Sequence, residues 1–100
     1  MNDHDRMALQ LFSALSDTNR WKILQIISKG SVKSITLIAK ALGVSTSAAV
    51  NQVALLEKVN LVTRIKRGKY HQIEINHVLW EEIERLNTFY STRQTRSLSK

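Results

Sequence analysis

Hydrophobic residues in the first half of the chain recur every three or four positions, which is the period of an α-helix. Four such stretches follow one another along the sequence. Their apolar residues are Ala8, Leu11, Phe12 and Leu15 in the first, Ile23, Leu24, Ile26 and Ile27 in the second, Ile35, Ile38, Ala39 and Leu42 in the third, and Ala49, Val53 and Leu56 in the fourth. The pattern predicts four helices, each with one apolar face.

Residues that begin and end helices separate these stretches. Side chains suited to cap the free amides of a helix start precede the last three stretches, at Asp17, Ser34 and Ser45. Residues that tolerate the left-handed conformation of a helix end follow them, at Gly30, Gly43 and Asn60. Because the caps agree with the hydrophobic period, they define where the second, third and fourth helices begin and end.

The hydrophobic period changes after Asn60. The segments "LVTRIK" and "YHQIEI" alternate apolar and polar residues around "RGK", which predicts a β-hairpin with Gly68 at a positive φ. The segment "HVLWEEIERLNTFYS" then returns to helical spacing. The predicted fold is therefore mainly α with a small β-hairpin, in the order α-α-α-α-β-β-α. Residues 1–92 form one domain in this interpretation, and residues 93–100 are a polar basic tail that we expect to fray.

The third and fourth predicted helices are separated by very few residues. Only Gly43 and Val44 lie between them, with Ser45 as the cap of the second. This is the spacing of a helix-turn-helix, whose second helix can enter the major groove of DNA. A basic hairpin follows directly, and this combination predicts a winged helix-turn-helix.

The charge of the chain favours a polyanionic partner. The 100 residues include 15 Lys and Arg against 8 Asp and Glu, for a net charge of +7. Such an excess indicates nucleic acid first and an anionic membrane surface second, although a soluble basic protein can carry it without either partner. From Lys58 to His71 there are five Lys and Arg residues and no acid, and four of the five lie on the predicted hairpin.

Composition also excludes several kinds of site. The chain has no cysteine, so it can form neither a disulfide nor a thiolate metal site nor a thiol switch. The polar, acidic start "MNDHDRMALQ" does not resemble a secretory signal, and no apolar run has the length of a membrane span. We therefore expect a cytoplasmic protein with no membrane partner. No catalytic or nucleotide-binding motif occurs, which argues against an enzyme.

The fourth helix carries no positive charge before Lys58, although it is the one predicted to enter the groove. Base edges can be read without charge: Asn and Gln pair with adenine, Ser and Thr with any base, and small apolar groups touch the thymine methyl. The predicted base-reading residues are Thr46, Ser47, Ala48, Val50, Asn51 and Gln52. Ser and Thr at a helix start also serve simply as caps, and that interpretation stays open for each of them.

Phosphate contacts are expected from the elements around this helix. The predicted residues are Lys33, Lys40, Ser45, Lys58, Arg64, Lys66, Arg67, Lys69 and Tyr70. The protein would then take its affinity from the basic hairpin and its sequence preference from a neutral helix, with a preference for AT-rich sites.

At this level the chain resembles the ArsR/SmtB-type (arsenic-repressor-like) winged-helix transcription regulators. The resemblance spans roughly residues 8–90 and is carried by "LFSALSDTNRWKIL", "IAKALGVS", "LLEKVNLV" and "RIKRGKYHQIEI". It implies a dimeric repressor of the prokaryotic cytoplasm that occupies operator DNA and releases it when an inducer, often a metal ion, binds.

The chain departs from that family at its two best-known metal sites. The Cys-x-Cys motif of the third helix would fall at Ser34 and Thr36, and hydroxyls do not replace thiolates for soft metals. In the last helix His77 matches one ligand position, but its partners would be Thr88 and Ser91. We therefore expect neither a metal nor another cofactor.

The first and last helices carry apolar stripes in a chain too small to bury all of them. A symmetric dimer would bury these stripes and set two recognition helices ~34 Å apart on double-stranded DNA with a pseudo-palindromic site. The resemblance implies the same homodimer. The predicted interface residues are Ala8, Leu11, Phe12, Leu15, Leu79, Ile83, Leu86 and Tyr90.

Two other functions stay open from the sequence. A winged helix can serve as a protein-interaction module, in which case the basic hairpin would be dispensable. A basic protein can also coat DNA without sequence preference, in which case it would bind any duplex equally. The neutral side chains from Thr46 to Gln52 favour specific DNA binding over both.

Overall fold

The computed structural model describes residues 2–30 and 34–98, with side chains described up to Arg93. It contains five helices and one antiparallel hairpin within these ranges. They are α1 (Asp3–Leu15), α2 (Thr18–Ser28), α3 (Ile35–Leu42), α4 (Thr46–Lys58), β1 (Val62–Arg67), β2 (Tyr70–Ile75) and α5 (His77–Leu98). The predicted order of elements, and with it the winged helix-turn-helix fold, is confirmed.

Side-chain caps begin the helices where the sequence predicted them. Asp17 accepts a hydrogen bond from the backbone amide of Arg20 at 3.0 Å, and Ser45 accepts one from that of Ala48 at 3.1 Å. Ser34 does the same for Leu37 at 3.2 Å. Each bond satisfies an amide that has no partner inside its own helix.

Left-handed residues end the helices at the predicted positions. Gly43 has φ 72°, and the amide of Val44 donates to the carbonyl of Ala39 at 3.0 Å, so the chain reverses within two residues between α3 and α4. Asn60 has φ 63°, where asparagine stands in for glycine after α4. These two turns set the direction of α4 and of the hairpin that follows it.

The core lies where α2, α3 and α4 meet the hairpin. Ala49, Val53 and Leu56 form the inner stripe of α4, and all three are fully buried. They pack in one cluster with residues of every other element except α1, including Ile23, Leu24, Ile38, Leu61, Ile73 and Trp80. Removing this apolar surface from water is the main contribution that holds α4 in place.

The hairpin is joined to the helices at its base and along its second strand. At its base, Asn76 donates its side-chain amide to the carbonyl of Asn60 at 3.1 Å, and its oxygen caps the amide of Leu79 at the start of α5. Along β2, Gln72 forms an isolated bridge with Ser34, just before α3. The hairpin is therefore fixed to α3 and α5 by backbone and side-chain hydrogen bonds.

The two-residue turn of the hairpin has Gly68 at φ 61° followed by Lys69 at a negative φ. A positive φ at the first turn residue alone is the pattern of a type II′ turn, which fits the right-handed twist of the strands. Arg67 pairs with Tyr70 across it, so β1 extends one residue further than the predicted three-residue "RGK" loop would allow, whereas β2 begins at Tyr70 as predicted.

Helix α5 is longer than the sequence predicted. It continues to Leu98, through most of the segment 93–100 that we expected to lie outside the domain as a frayed tail. That segment contains no glycine or proline that would stop a helix. Arg93 also lies over the ring of Phe89, one turn earlier, at 4.9 Å from the ring centre, and this contact favours the helical spacing. No helix within the described residues is long and apolar enough to cross a membrane.

Two neighbouring leucines of α4 offer a matched test of this packing. Leu56→Ala is expected to lower the free energy of unfolding by about 2–5 kcal/mol, because it leaves a cavity in a fully buried position. Leu55 is 44% exposed, so Leu55→Ala should cost less than about 1 kcal/mol. Urea denaturation followed by circular dichroism measures both, and equal losses would contradict the orientation of α4.

Candidate nucleic-acid interface

The predicted base-reading residues form the outer face of α4. Thr46, Ser47 and Asn51 are exposed, on the side opposite the buried stripe. The other three, Ala48, Val50 and Gln52, lie at the edges of this face, where all three are half-buried. An exposed, uncharged helix face at the second position of a helix-turn-helix has the shape and chemistry needed to enter a major groove.

A cleft of about 310 Å³ lies between the starts of α3 and α4 and the hairpin. Thr46 and Val50 form its α4 side, and Lys69, Tyr70 and His71 form its hairpin side. The hairpin therefore stands beside the neutral face as the wing of the fold. Because Tyr70 is 70% exposed, its ring and hydroxyl are free to contact a ligand next to the cleft.

Most of the predicted phosphate-binding cations lie outside any ion pair of the described chain. No described carboxylate lies within 4.0 Å of Lys40, Lys58, Lys66, Arg67 or Lys69. They flank the neutral face at the end of α3, the end of α4 and the tip of the wing. Cations that hold no carboxylate have no ion pair to break when they meet phosphate, so this arrangement suits a polyanion.

Ser45 and Lys33 complete the predicted phosphate set. The hydroxyl of Ser45 already accepts the Ala48 amide as the cap of α4. A helix N-terminus of this kind presents further backbone amides on which a phosphate can dock. Lys33 lies outside the described residues.

Arg64 is positioned differently from the other cations. Its Nη2 and Nε both donate to Oε1 of Glu57, at 2.7 and 3.1 Å, and both side chains are half-buried. The pair joins β1 to α4 and sets a carboxylate against the charge that Arg64 was predicted to offer to phosphate. Sequence spacing could not reveal it, because the two residues lie on different elements on either side of the Asn60 turn.

Gln52 also has a partner within the protein. Its Oε1 accepts a hydrogen bond from Nη1 of Arg20 at 2.9 Å. The same guanidinium donates to the carbonyls of Ala14 and Ser13, at 2.6 and 3.1 Å, at the end of α1. Arg20 thus ties α1 and α4 to α2, and Gln52 belongs to this internal network as well as to the predicted base-reading set.

The predicted dimer residues divide into two groups. Ala8, Leu11, Leu15 and Leu79 are half-buried and Ile83 is buried, so these side chains contribute to the packing of a single chain. Phe12, Leu86 and Tyr90 are about 60–65% exposed. The sequence pattern alone did not separate these two groups, because both share one helical stripe.

Exposed apolar surface is concentrated on the two terminal helices. Of the ten large hydrophobic side chains exposed in the described chain, seven lie on α1 and α5. Besides Phe12, Leu86 and Tyr90 they are Met7, Leu9, Val78 and Phe89. Every residue of α5 from Glu84 to Arg93 is exposed, so the second half of this helix projects from the core into solvent.

The described residues hold no group of three or more His, Asp or Glu side chains that could bind a metal ion. His77 lines a small pocket with Glu74, between the end of β2 and the start of α5, but no third ligand stands there among the described residues.

The Arg20–Gln52 bond predicts unequal effects for two adjacent residues of α4. Gln52→Ala should lower the free energy of unfolding by about 1 kcal/mol, because it leaves a half-buried guanidinium with one donor unpaired. Asn51→Ala should change it by less than about 0.5 kcal/mol, because the side chain of Asn51 is exposed to solvent. Thermal and urea unfolding of both variants test this, and an unchanged Gln52→Ala variant would show that the bond contributes nothing.

Solved structures with this arrangement are similar to the chain at low sequence identity. HlyU from Vibrio cholerae superposes with a TM-score of 0.73 at 23% identity, over 91% of this chain and 99% of that chain. The fragment 1–100 of Mb0332 from Mycobacterium bovis, described as a homodimeric winged helix-turn-helix DNA-binding domain and a possible ArsR-family regulator, gives 0.74 at 20% identity, over 98% and 91%. NolR from Sinorhizobium fredii also gives 0.74 at 20% identity, over 88% of each chain.

No protein-family model matches the sequence, and no curated protein matches it either. The similarity is thus one of three-dimensional structure, and it extends over almost the full length of each chain. The chain therefore has a winged helix-turn-helix fold like that of the Mb0332 domain.

Proposed function

We propose that the chain is a sequence-specific DNA-binding transcriptional regulator of the ArsR type, acting as a homodimeric repressor. The observation that carries this proposal is the neutral, exposed face of α4 bordered by five cations that hold no described carboxylate. A groove-reading helix needs hydrogen-bonding side chains, whereas the phosphates on either side need positive charge. Hydrogen-bonding side chains lie on the outer face of α4, and positive charge lies on the elements beside it. A regulator of this kind works at the chromosome, in the cytoplasm of a prokaryote.

The exposed apolar side chains support the dimer. Phe12 on α1 and Leu86, Phe89 and Tyr90 on α5 form surfaces that a single chain leaves in water. The structurally similar Mb0332 domain is described as homodimeric. Pairing the terminal helices of two chains would bury this surface and leave α4 and the wing of each chain free for DNA.

Asn51 provides the test of base reading. A duplex first has to be selected from a random pool with the unaltered protein, and then compared with a shuffled duplex by fluorescence anisotropy. Asn51→Ala should weaken binding to the selected duplex by about ten-fold, the typical cost of removing one bidentate pair with a base, and leave binding to the shuffled duplex unchanged. Gln25→Ala, which removes an exposed amide from α2, is the control and should change neither. Equal losses on both duplexes would refute base reading by Asn51.

The wing provides the test of phosphate binding. Replacing Arg67 and Lys69 with Ala should weaken binding to all duplexes and reduce the slope of log affinity against log salt by roughly 0.9 for each phosphate that the variant no longer neutralises. Replacing Lys22 and Lys29, two cations of α2 and its C-cap, changes the net charge equally and serves as the control. If both double variants show the same slope, the wing does not bind phosphate. The lost charges then affect DNA binding only by lowering the net charge of the protein.

The dimer is tested by sedimentation at micromolar concentration. The unaltered chain should sediment as a dimer. The variant that combines Phe12→Glu with Leu86→Glu should be a monomer, because burying unpaired carboxylates in an apolar interface is strongly unfavourable. Leu37→Glu introduces a charge at a leucine of α3 that is 51% exposed and should leave the dimer intact. A monomeric unaltered chain would refute the proposal.

A further inference from the structure

A second cavity, of about 410 Å³, lies on a different side of α4 from the wing. It is an open cleft bordered by α1, the start of α2 and the last turn of α4. Its cationic lining residues are Arg6, Arg20 and Lys58, and its apolar ones include Leu9, Leu55 and Val59. Its volume falls within the range of small-molecule pockets in proteins. Only Lys58 is shared with the predicted DNA face.

The charge of this cavity is of one sign. Its lining contains three cationic side chains and no carboxylate, and the two ion pairs of the described residues both lie elsewhere. Arg20 is half-buried, and its guanidinium donates, within the described residues, to neutral acceptors: the carbonyls of Ser13 and Ala14 and the amide oxygen of Gln52. Its charge is therefore fixed in position but not neutralised. A partly buried cation without a counter-ion favours the binding of an anion.

The other part of the lining is apolar. Leu9 and Leu55 are 53% and 44% exposed, although each belongs to a helix that packs against the body of the protein. Val59, at the end of α4, is half-buried beside them. Covering these side chains would remove apolar surface from water and so contribute to binding.

We propose that this cavity binds a small amphiphilic anion, with its carboxylate at Arg20, Lys58 and Arg6 and its apolar chain against Leu9, Leu55 and Val59. The two parts of such a ligand match the two kinds of side chain that line the cavity. A purely apolar ligand would leave the cations without an anion, and a small inorganic anion would leave the leucines in water.

Occupation of the cavity would weaken DNA binding, a consequence that rests on the proposed function. The anion would neutralise Lys58 and place its own charge next to the predicted DNA face. It would also contact Arg20, which holds Gln52 on the recognition helix at 2.9 Å. Because the coupling of two ligands is reciprocal, DNA would lower the affinity for the anion by the same factor.

Isothermal titration calorimetry of the full chain with octanoate tests the site directly. Octanoate should bind with a stoichiometry of one per chain, whereas acetate, which lacks the long apolar chain, and octyltrimethylammonium, which reverses the charge, should not. Binding of all three, or of octyltrimethylammonium as well as octanoate, would show an unspecific surface and overturn the proposal. No binding of octanoate would overturn the proposal too. This is the result expected if a second copy of the chain covers the cavity.

Matched variants locate the site. Lys58→Gln should weaken octanoate binding about ten-fold, since a hydrogen bond to a charged group is removed, and Leu55→Gln should weaken it similarly through the apolar side. Neither side chain belongs to the buried core, so the variants should remain folded. Lys22→Gln removes a cation of α2 that does not line the cavity and should leave binding unchanged. Equal losses in Lys58→Gln and Lys22→Gln would refute the location.

Two further measurements separate the possible sources and the two proposals. Vesicles of phosphatidylglycerol present the same chemistry on a membrane, and binding to vesicles without binding to octanoate would overturn a site for a free acid. Anisotropy with the selected duplex, with and without octanoate, tests the effect on DNA. If the chain binds no DNA at all, the proposed function fails, whereas the calorimetric result stands by itself.

Discussion

The burial of one stripe of side chains on α4 is the constraint on which the rest of the structure depends. Ala49, Val53 and Leu56 are completely excluded from water, and together they turn the neutral face of the same helix outward. In a helix with 3.6 residues per turn, inward and outward faces cannot be chosen independently. The small size of Ala49 also lets the start of α4 lie close to the core. The orientation of the candidate DNA-reading face is thus a direct result of core packing.

Two polar contacts refine that orientation from opposite sides. Glu57 and Arg64 join α4 to the first strand of the wing, and Gln52 and Arg20 join it to α2 and, through backbone carbonyls, to α1. Both contacts involve half-buried arginines, whose planar groups bond several acceptors at fixed angles. The recognition helix is therefore connected to the wing at one edge and to the cavity at the other. A change in either contact can therefore alter the position of the outer face of α4.

The sequence predicted the elements well because their signals are local. Caps at Asp17, Ser34 and Ser45, and left-handed ends at Gly43 and Asn60, each depend on a few neighbouring residues and were confirmed in the structure. The partners of Gln52 and Arg64 could not be predicted, since they come from other elements and depend on how these pack. The end of α5 was placed too early because the polar segment after it was interpreted as a fraying tail, although it contains no glycine or proline that would stop a helix. Which stripe residues stay exposed, such as Phe12 but not Leu15, likewise depends on tertiary packing.

The two tryptophans of the chain, Trp21 and Trp80, meet at the junction between α2 and α5. Their ring centres are 5.2 Å apart at an angle of 56°, and the indole nitrogen of Trp80 is buried without a hydrogen-bond partner among the described residues. An indole in such a dry environment emits at short wavelength, and its emission changes as soon as water or a polar group reaches it. Helix α5 carries the exposed apolar face, whereas α2 belongs to the body that holds α4. Tryptophan fluorescence of the unlabelled protein therefore reports on the contact between α2 and α5.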